Sequence, residues 1–295
     1  MIFRKNTDYN TLVSQGSLYN GVFIPSEFEN IILKHVILNC MHLENFRPAP
    51  LLLIQGKKGE GKTFMTETVL KENNIYYKLI SSSILAGKNE NDAVNNLMLY
   101  YNNCQMDPQH GKYSTLVIDD FHLSIAITKN NANHTTNADN LLSALMNIAD
   151  DKSKLKAPII LIGNNFSEAY APLTRLGRMN ICTWEPSLLD RVEIIKRLII
   201  KHNHETQCVN SNWIKEFIKH CGDQYIGFYE QVIENAVFQD FNEITNYFSS
   251  RHGRVNYTDL KMYTQSIINN SYITPERMFK EADELLKKKL LKLDD

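Results

Sequence analysis

Residues 51–63, which read LLLIQGKKGEGKT, constrain the fold of this chain more than any other stretch. Leu51 to Ile54 form a short apolar run, which predicts a strand buried on both faces in a parallel sheet. Residues 56–63 fit the pattern G-x-x-x-x-G-K-[ST], in which glycines let the backbone wrap its N–H groups around phosphate oxygens. A Gly- and Lys-rich surface turn is the alternative. The strand before the motif and the helical pattern after it favour phosphate binding.

This loop contains the candidate nucleotide-binding residues. The helix that follows it adds the positive end of its dipole to the backbone N–H groups. We predict that Lys62 lies between the β- and γ-phosphates and that the Thr63 hydroxyl ligates Mg²⁺. The candidate phosphate-binding set is Gly56, Lys57, Lys58, Gly59, Glu60, Gly61, Lys62, Thr63 and Phe64.

Two further buried strands end in polar residues. Residues 115–118 lead into Asp119 and Asp120, and residues 158–163 lead into Asn164. In a P-loop enzyme, Asp119 is expected to hold Mg²⁺ through water and Asp120 to polarise the attacking water. The Asn164 amide can reach the γ-phosphate or that water, since it both donates and accepts. An acidic turn and an Asn-rich turn are the alternatives that these short patterns leave open.

Two arginines in the segment LTRLGRM, Arg175 and Arg178, are three residues apart. On a helical turn this spacing points both side chains the same way. In an oligomeric ATPase such a pair can reach a neighbouring subunit's γ-phosphate as arginine fingers. Surface salt bridging is the alternative that the spacing leaves open.

The order of the elements predicts the domain organisation. Strands and helices alternate up to residue 185, which predicts a doubly wound parallel α/β sheet. From Pro186 onward helix follows helix, which predicts a small all-helical domain. We expect a flexible N-terminal segment at residues 1–21, an α/β nucleotide-binding domain at 22–185 and a helical domain at 186–295.

Composition excludes several classes of protein. The formal net charge of -1 supports no general binding to nucleic acid. No apolar run is long enough to span a membrane, and the N-terminus lacks a signal-peptide core. The five cysteines are scattered without CxxC spacing, which suits reduced thiols. We therefore expect a cytoplasmic protein.

With these motifs assembled, the chain resembles an AAA+ ATPase, and closely the Rubisco activase branch. The resemblance runs from about Val22 into the C-terminal helices. It is carried by Ile24-Pro25, GKKGEGKTF (56–64), LVIDDF (116–121), LMNIAD (145–150), GNNFSEAYAPLTRLGRM (163–179) and WEPSLLDR (184–191).

The resemblance implies a P-loop NTPase fold (AAA+) whose small helical domain serves as a lid. Adenine is expected against Phe23 and Ile24. Asn164 takes the sensor 1 position, and Arg175 and Arg178 act on the adjacent subunit of a hexameric ring. Members of this branch act on a client protein through a central pore, and the matching pore loops are Ala86–Asn91 and Lys129–Thr136.

Four departures from the family pattern stand out. Residues 1–21 are shorter than the N-terminal domain through which plant activases engage Rubisco, so the client protein stays open. No Lys or Arg occurs between Lys219 and Arg251, where a sensor 2 cation is expected. AAA+ proteins usually have Glu in place of Asp120, although activase-like sequences have Asp. The first expected pore loop also lacks an aromatic residue.

These observations predict an ATP-hydrolysing, ring-forming AAA+ protein that uses ATP and Mg²⁺ to remodel a protein client. Two alternatives differ in class. One is a nucleic-acid-linked AAA+ ATPase, such as a clamp loader or a replication initiator, which the near-neutral charge disfavours. The other is a nucleotide-dependent scaffold with little hydrolysis, which the missing sensor 2 cation suggests.

Overall fold

The chain divides into two compact units. One runs from Ile24 to Glu185, and the other combines Met1–Phe23 with Pro186–Asp295. Each unit has a hydrophobic core of its own. The structure, a computed structural model, describes residues 14–41, 43, 45–85, 92–124, 136–151, 157–164, 172–202, 210–237, 241–251, 254–270 and 273–291.

The first described elements are two short strands, β1 (Gly16–Tyr19) and β2 (Val22–Pro25), which form a two-stranded sheet. Asn20-Gly21 joins them with φ values of 49° and 85°, as a tight hairpin turn requires. The alternating elements then follow as α1 (Ser26–Cys40), β3 (Leu51–Gln55), α2 (Lys62–Glu72), β4 (Tyr76–Ser81), α3 (Ser82–Leu85), α4 (Asp92–Gln109), β5 (Ser114–Asp119), α5 (Phe121–Ser124), α6 (Thr136–Asp150), β6 (Ile159–Gly163) and β7 (Met179–Thr183).

Strand β3 lies inside a parallel sheet whose order, among the described residues, is β4-β5-β6-β3-β7. It pairs with β6 on one side and β7 on the other, so that Leu52 lies opposite both Ile160 and Asn180. The residues of β6 and the apolar residues of β3 are buried, as expected for strands covered on both faces. This confirms the predicted α/β fold. The parallel order also brings the carboxyl ends of β3, β5 and β6 to one edge of the sheet.

The helical unit contains α7 (Leu188–His202), α8 (Ser211–Cys221), α9 (Ile226–Val237), α10 (Phe241–Ser250), α11 (Tyr257–Asn270) and α12 (Pro275–Leu291). Its core is built around Phe217, whose ring lies 5.9 Å from that of Tyr229 and 5.1 Å from that of Phe279. The predicted helical C-terminal region is therefore confirmed. Among the described residues, no helix combines the length and the apolar character that crossing a membrane requires.

Candidate functional site

The loop from Gly56 to Gly61 joins the carboxyl end of β3 to the amino end of α2, and its shape favours glycine at three positions. Gly59 has φ 83°, in the left-handed region. A Cβ at Gly56 would lie 2.2 Å from the backbone oxygen of Trp184, which no side chain can tolerate. Gly61 precedes α2 with φ 75°, in the left-handed region that glycine adopts without strain. The loop thus leads into the first turn of α2, whose N–H groups and dipole attract an anion.

Lys62 is a buried cation at this edge of the sheet, with 6% of its surface exposed. Its Nζ donates to the backbone oxygens of Gly56 and Lys57 at 2.8 Å each, and to Oδ1 of Asn164 at 3.2 Å. Burial lowers the pKa of Lys62, and three nearby carboxylates oppose this effect: Glu60, Asp119 and Asp120. All three hydrogen-bond acceptors are neutral, so a phosphate oxygen would form a stronger bond to this ammonium group.

Thr63 and Asp119 meet where α2 begins and β5 ends. The Thr63 Oγ1 atom lies 3.0 Å from each carboxylate oxygen of Asp119. Hydroxyl and carboxylate oxygens are the ligands that Mg²⁺ prefers. This pair of side chains therefore fits a magnesium ion bound together with nucleotide phosphates.

Asp120 follows β5 in a left-handed backbone conformation, with φ 51°. Its N–H donates to Oδ1 of Asp119 at 2.9 Å, and its carbonyl accepts the Leu123 N–H at 2.8 Å. Asp is among the few residue types that tolerate this conformation. The backbone is thus held on both sides while the carboxylate stays exposed to water.

Asn164 lies directly after β6 and is half-buried. Its Oδ1 accepts the Lys62 hydrogen bond, which joins the start of α2 to the end of β6. The structure therefore forms two hydrogen-bonded pairs, Lys62–Asn164 and Thr63–Asp119, which lie together because Lys62 and Thr63 are neighbours in the chain. Asp120 follows Asp119. Their catalytic roles stay predictions.

The two arginines lie on a tight turn, so the predicted helical turn is wrong. The Arg178 N–H donates to the Arg175 oxygen at 3.1 Å, and Gly177 has φ 88°. Glycine at this position is typical of a type II turn, which a helix cannot continue through. Arg175 is exposed, and Leu176 at the tip of the turn is fully exposed.

Arg178 is bound within its own chain. Its Nε donates to Oδ1 of Asp150 at 2.7 Å, its Nη2 donates to Oδ2, and its Nη1 donates to the Pro172 oxygen at 2.7 Å. The hydrogen bonds to Asp150 raise the pKa of Arg178. The surface salt bridge, which the sequence left open as an alternative, is therefore present for this residue.

The remaining predicted residues differ in how exposed they are. Lys57, Lys58 and Gly59 are exposed, and Phe64 is 58% exposed. Phe23 and Ile24 are both buried, but they belong to different units, so their role toward adenine stays a prediction. The expected pore loops lie outside the described residues, except for Thr136 at the start of α6.

Sequence reasoning gave no role to Trp184, which follows β7 directly. It contacts Gln55 at the end of β3. It also contacts Gly56 and Glu60 in the loop from Gly56 to Gly61, which we call the phosphate loop. Its only sequence signal was its place in the stretch WEPSLLDR, because β7 itself was not predicted.

Part of the chain matches a known protein family. Residues 52–186 match AAA, the ATPase family associated with various cellular activities. The matched stretch begins in β3 and contains the phosphate loop, both aspartates, Asn164 and the arginine turn.

Several proteins named ribulose bisphosphate carboxylase/oxygenase activase are similar to this chain. The one from Nostoc sp. is 31% identical over 186 residues, which are 59% of this chain and 45% of that protein. The chloroplastic proteins of Zea mays and Arabidopsis thaliana are 28% identical over 211 residues and 29% identical over 203 residues. These alignments cover 66% and 62% of this chain, and 49% and 43% of the two relatives. The chain spans about half the length of the curated relatives it matches. Residues 52–186 of this chain thus match the AAA family, and the chain is similar to proteins named Rubisco activase.

Proposed function

We propose that this chain hydrolyses ATP, with Mg²⁺, as a ring-forming AAA+ protein that remodels a protein client. One observation carries the proposal: two neighbouring residues of α2 each form a hydrogen bond to the end of a strand. Lys62 donates to Asn164 after β6 at 3.2 Å, and the Thr63 hydroxyl lies 3.0 Å from the carboxylate of Asp119 in β5. This is the set of groups that phosphoryl transfer requires, because its catalysis is mainly positioning and charge stabilisation.

Each residue of the cluster has a role in this chemistry. The phosphate loop and Lys62 hold the β- and γ-phosphates, and Thr63 with Asp119 holds Mg²⁺. Asp120 accepts a proton from a water molecule that attacks the γ-phosphorus. The bond from that phosphorus to the bridging oxygen breaks, and ADP and phosphate leave. Asn164 orients the γ-phosphate or the water by donating from its amide.

In the proposed ring, a hexamer, Arg175 and Arg178 act on the nucleotide of the neighbouring subunit. Arg175 is exposed and available for this role, whereas Arg178 must first leave Asp150. A cytoplasmic location suits the buried thiols of Cys182 and Cys221, whose pKa values burial raises to about 11 and about 12.

Two substitutions test ATP hydrolysis directly. Lys62→Ala should weaken ATP binding measured by titration calorimetry, since it removes the buried ammonium group. Asp120→Asn should bind ATP but release no phosphate, and Asn tolerates the same left-handed backbone. Lys71→Ala is the matched control, because Lys71 is an exposed lysine in the last turn of α2 and lies outside the candidate phosphate-binding set. Wild-type turnover in both Lys62→Ala and Asp120→Asn would refute the proposal.

A nucleotide-dependent scaffold is the second candidate, and the pairing of Arg178 with Asp150 favours it. The absence of Lys and Arg from residues 220–250 points the same way. Turnover per subunit, measured over a range of protein concentrations, separates the two. It rises with association if arginines act between subunits, and it stays near zero for a scaffold.

The client is proposed to be a protein, and the names of the relatives make ribulose bisphosphate carboxylase/oxygenase the first one to test. The Asp120→Asn protein loaded with ATP should bind its client more tightly than the nucleotide-free protein. Gel filtration of the purified pair with and without ATP measures this difference. Equal elution in both conditions excludes that client.

A further inference from the structure

Trp184 packs its backbone on the entrance to the phosphate loop. Its N–H donates to the Gln55 oxygen at 2.7 Å, which extends the pairing of β3 with β7 beyond Gln55 and Thr183. Its own carbonyl oxygen occupies the space that a Cβ at Gly56 would need. The residue at which strand becomes loop is therefore in direct contact with Trp184.

The side chain of Trp184 reaches the other end of the same loop. Its Nε1–H donates to the backbone oxygen of Glu60 at 3.1 Å. Trp184 is 5% exposed and Glu60 is 2% exposed, so water cannot readily replace this bond. A buried hydrogen bond of this kind costs stability when its donor is removed and its acceptor remains.

Helix α1 holds the indole ring in place. The Trp184 ring meets the Phe28 ring edge to face, with centroids 4.8 Å apart and planes at 67°. Phe28 is 1% exposed and lies in the first turns of α1. The ring is thus fixed by a helix outside the loop that it contacts.

A phosphate loop rich in glycine is flexible, but phosphate binding needs its N–H groups in fixed positions. We infer that Trp184 is a positioning residue. It holds the two ends of the phosphate loop, at Gly56 and Glu60, in the shape that binds nucleotide. The inference rests on the proposed ATP binding and adds to it a residue that touches the loop rather than the nucleotide.

The first test compares the two tryptophans of the chain. Trp184→Phe keeps an aromatic ring against Phe28 but removes the donor to Glu60. We expect the dissociation constant for ATP, measured by calorimetry well below the melting temperature, to rise about 3- to 10-fold. Trp213→Phe is the control, because Trp213 lies in the helical unit and its buried Nε1 has no hydrogen-bond partner among the described residues. Its ATP affinity should equal that of the wild type.

The second test is spectroscopic and does not depend on changing Trp184. In the Trp213→Phe protein, Trp184 is the remaining tryptophan. Its emission maximum should stay the same as ATP is added, because the Glu60 carbonyl that accepts from Trp184 Nε1 already has the position it takes when nucleotide is bound.

The outcomes separate this inference from the proposed function. No ATP binding by the wild-type protein overturns both. Binding by the wild type with unchanged affinity in Trp184→Phe, or with a Trp184 emission maximum that shifts on binding, overturns the positioning role alone. A purely structural role would lower the melting temperature of Trp184→Phe and leave its ATP affinity unchanged.

Discussion

The guanidinium group of Arg178 is held by the carboxylate of Asp150 in the same chain, with Nε donating to Oδ1 at 2.7 Å. The Arg178 side chain is 19% exposed and that of Asp150 is 52% exposed. Arg175 is exposed on the same turn. The two arginines are therefore not equivalent: Arg175 is exposed, whereas Arg178 is bound to a carboxylate. In the proposed ring, Arg178 would have to exchange the Asp150 carboxylate for a phosphate bound to the neighbouring subunit.

Asp150→Asn tests whether this exchange limits turnover. Exposed ion pairs are weak, so freeing Arg178 should raise the steady-state ATPase rate about 2- to 5-fold at concentrations where subunits associate. Asp151→Asn removes the same charge one residue along and serves as the control. A lower rate of phosphate release by Asp150→Asn would show instead that the ion pair between Arg178 and Asp150 holds the arginine turn in the conformation that supports hydrolysis.

Lys62 should make stability depend on pH in the nucleotide-free protein. Because burial lowers its pKa below 10.5, the unfolded chain binds this proton more tightly than the folded chain. The free energy of unfolding therefore rises as the pH increases from the folded pKa toward the unfolded value. Lys62→Met lacks the titrating group.

Urea unfolding from about pH 7 to about pH 10 measures this effect as the difference between wild type and Lys62→Met. The free energy of unfolding of the wild type should increase relative to that of Lys62→Met as the pH rises. A constant difference would contradict the buried ammonium group. The same variant should bind ATP about 10- to 100-fold more weakly, as expected for a lost hydrogen bond to a charged group.

His35 should make the α/β unit sensitive to acid. Burial lowers its pKa from 6.5 to about 4, and the Ile159 backbone only partly opposes this. The folded state keeps the ring neutral, so stability falls as the pH drops from 6.5 toward 4, by about 3 kcal/mol in total. His35→Gln should remove this dependence.

Trp184 emission in a Trp213→Phe background follows unfolding of the α/β unit, in which both Trp184 and His35 lie. His220→Gln is the control, because His220 lies in the helical unit and its Nε2 is 2.8 Å from Asp283. If His35→Gln loses as much stability in acid as the wild type, another group causes the loss.

Gly56→Ala should damage both stability and nucleotide binding. The new Cβ would lie 2.2 Å from the Trp184 oxygen, and overpacking of this kind costs about 1–3 kcal/mol. Gly111→Ala is the matched control, since Gly111 has φ 71° with nothing within 4 Å of its Cβ position. It should cost about 1 kcal/mol through backbone strain and leave ATP affinity unchanged. Equal ATP affinity in the two variants would contradict the contact with Trp184.

The sequence predicted the elements whose signals are local. The apolar runs indicated β3 and β6 to within a residue at each end. The family resemblance followed from contiguous motifs in the same way, and the comparisons confirm it.

The missed elements have weaker local signals. In β7, three of the five residues are exposed, so Asn180 and Thr183 interrupt the apolar pattern that marks a buried strand. The hairpin of β1 and β2 consists of strands of four residues each. The spacing of the two arginines suggested a helical turn, but Gly177 with φ 88° allows a tight turn instead.

The sequence by itself determined which chemical groups this protein has and in what order: a glycine loop, a lysine with a hydroxyl beside it, paired carboxylates, an amide and two arginines. Only the tertiary structure decided which of them touch. Asp150 lies 28 residues from Arg178, and Glu60 lies 124 residues from Trp184. Such contacts are set by how strands and helices pack, and no local pattern in the chain encodes them. The pairing of Arg178 with Asp150 and the contacts of Trp184 with the phosphate loop are therefore visible only in the folded molecule.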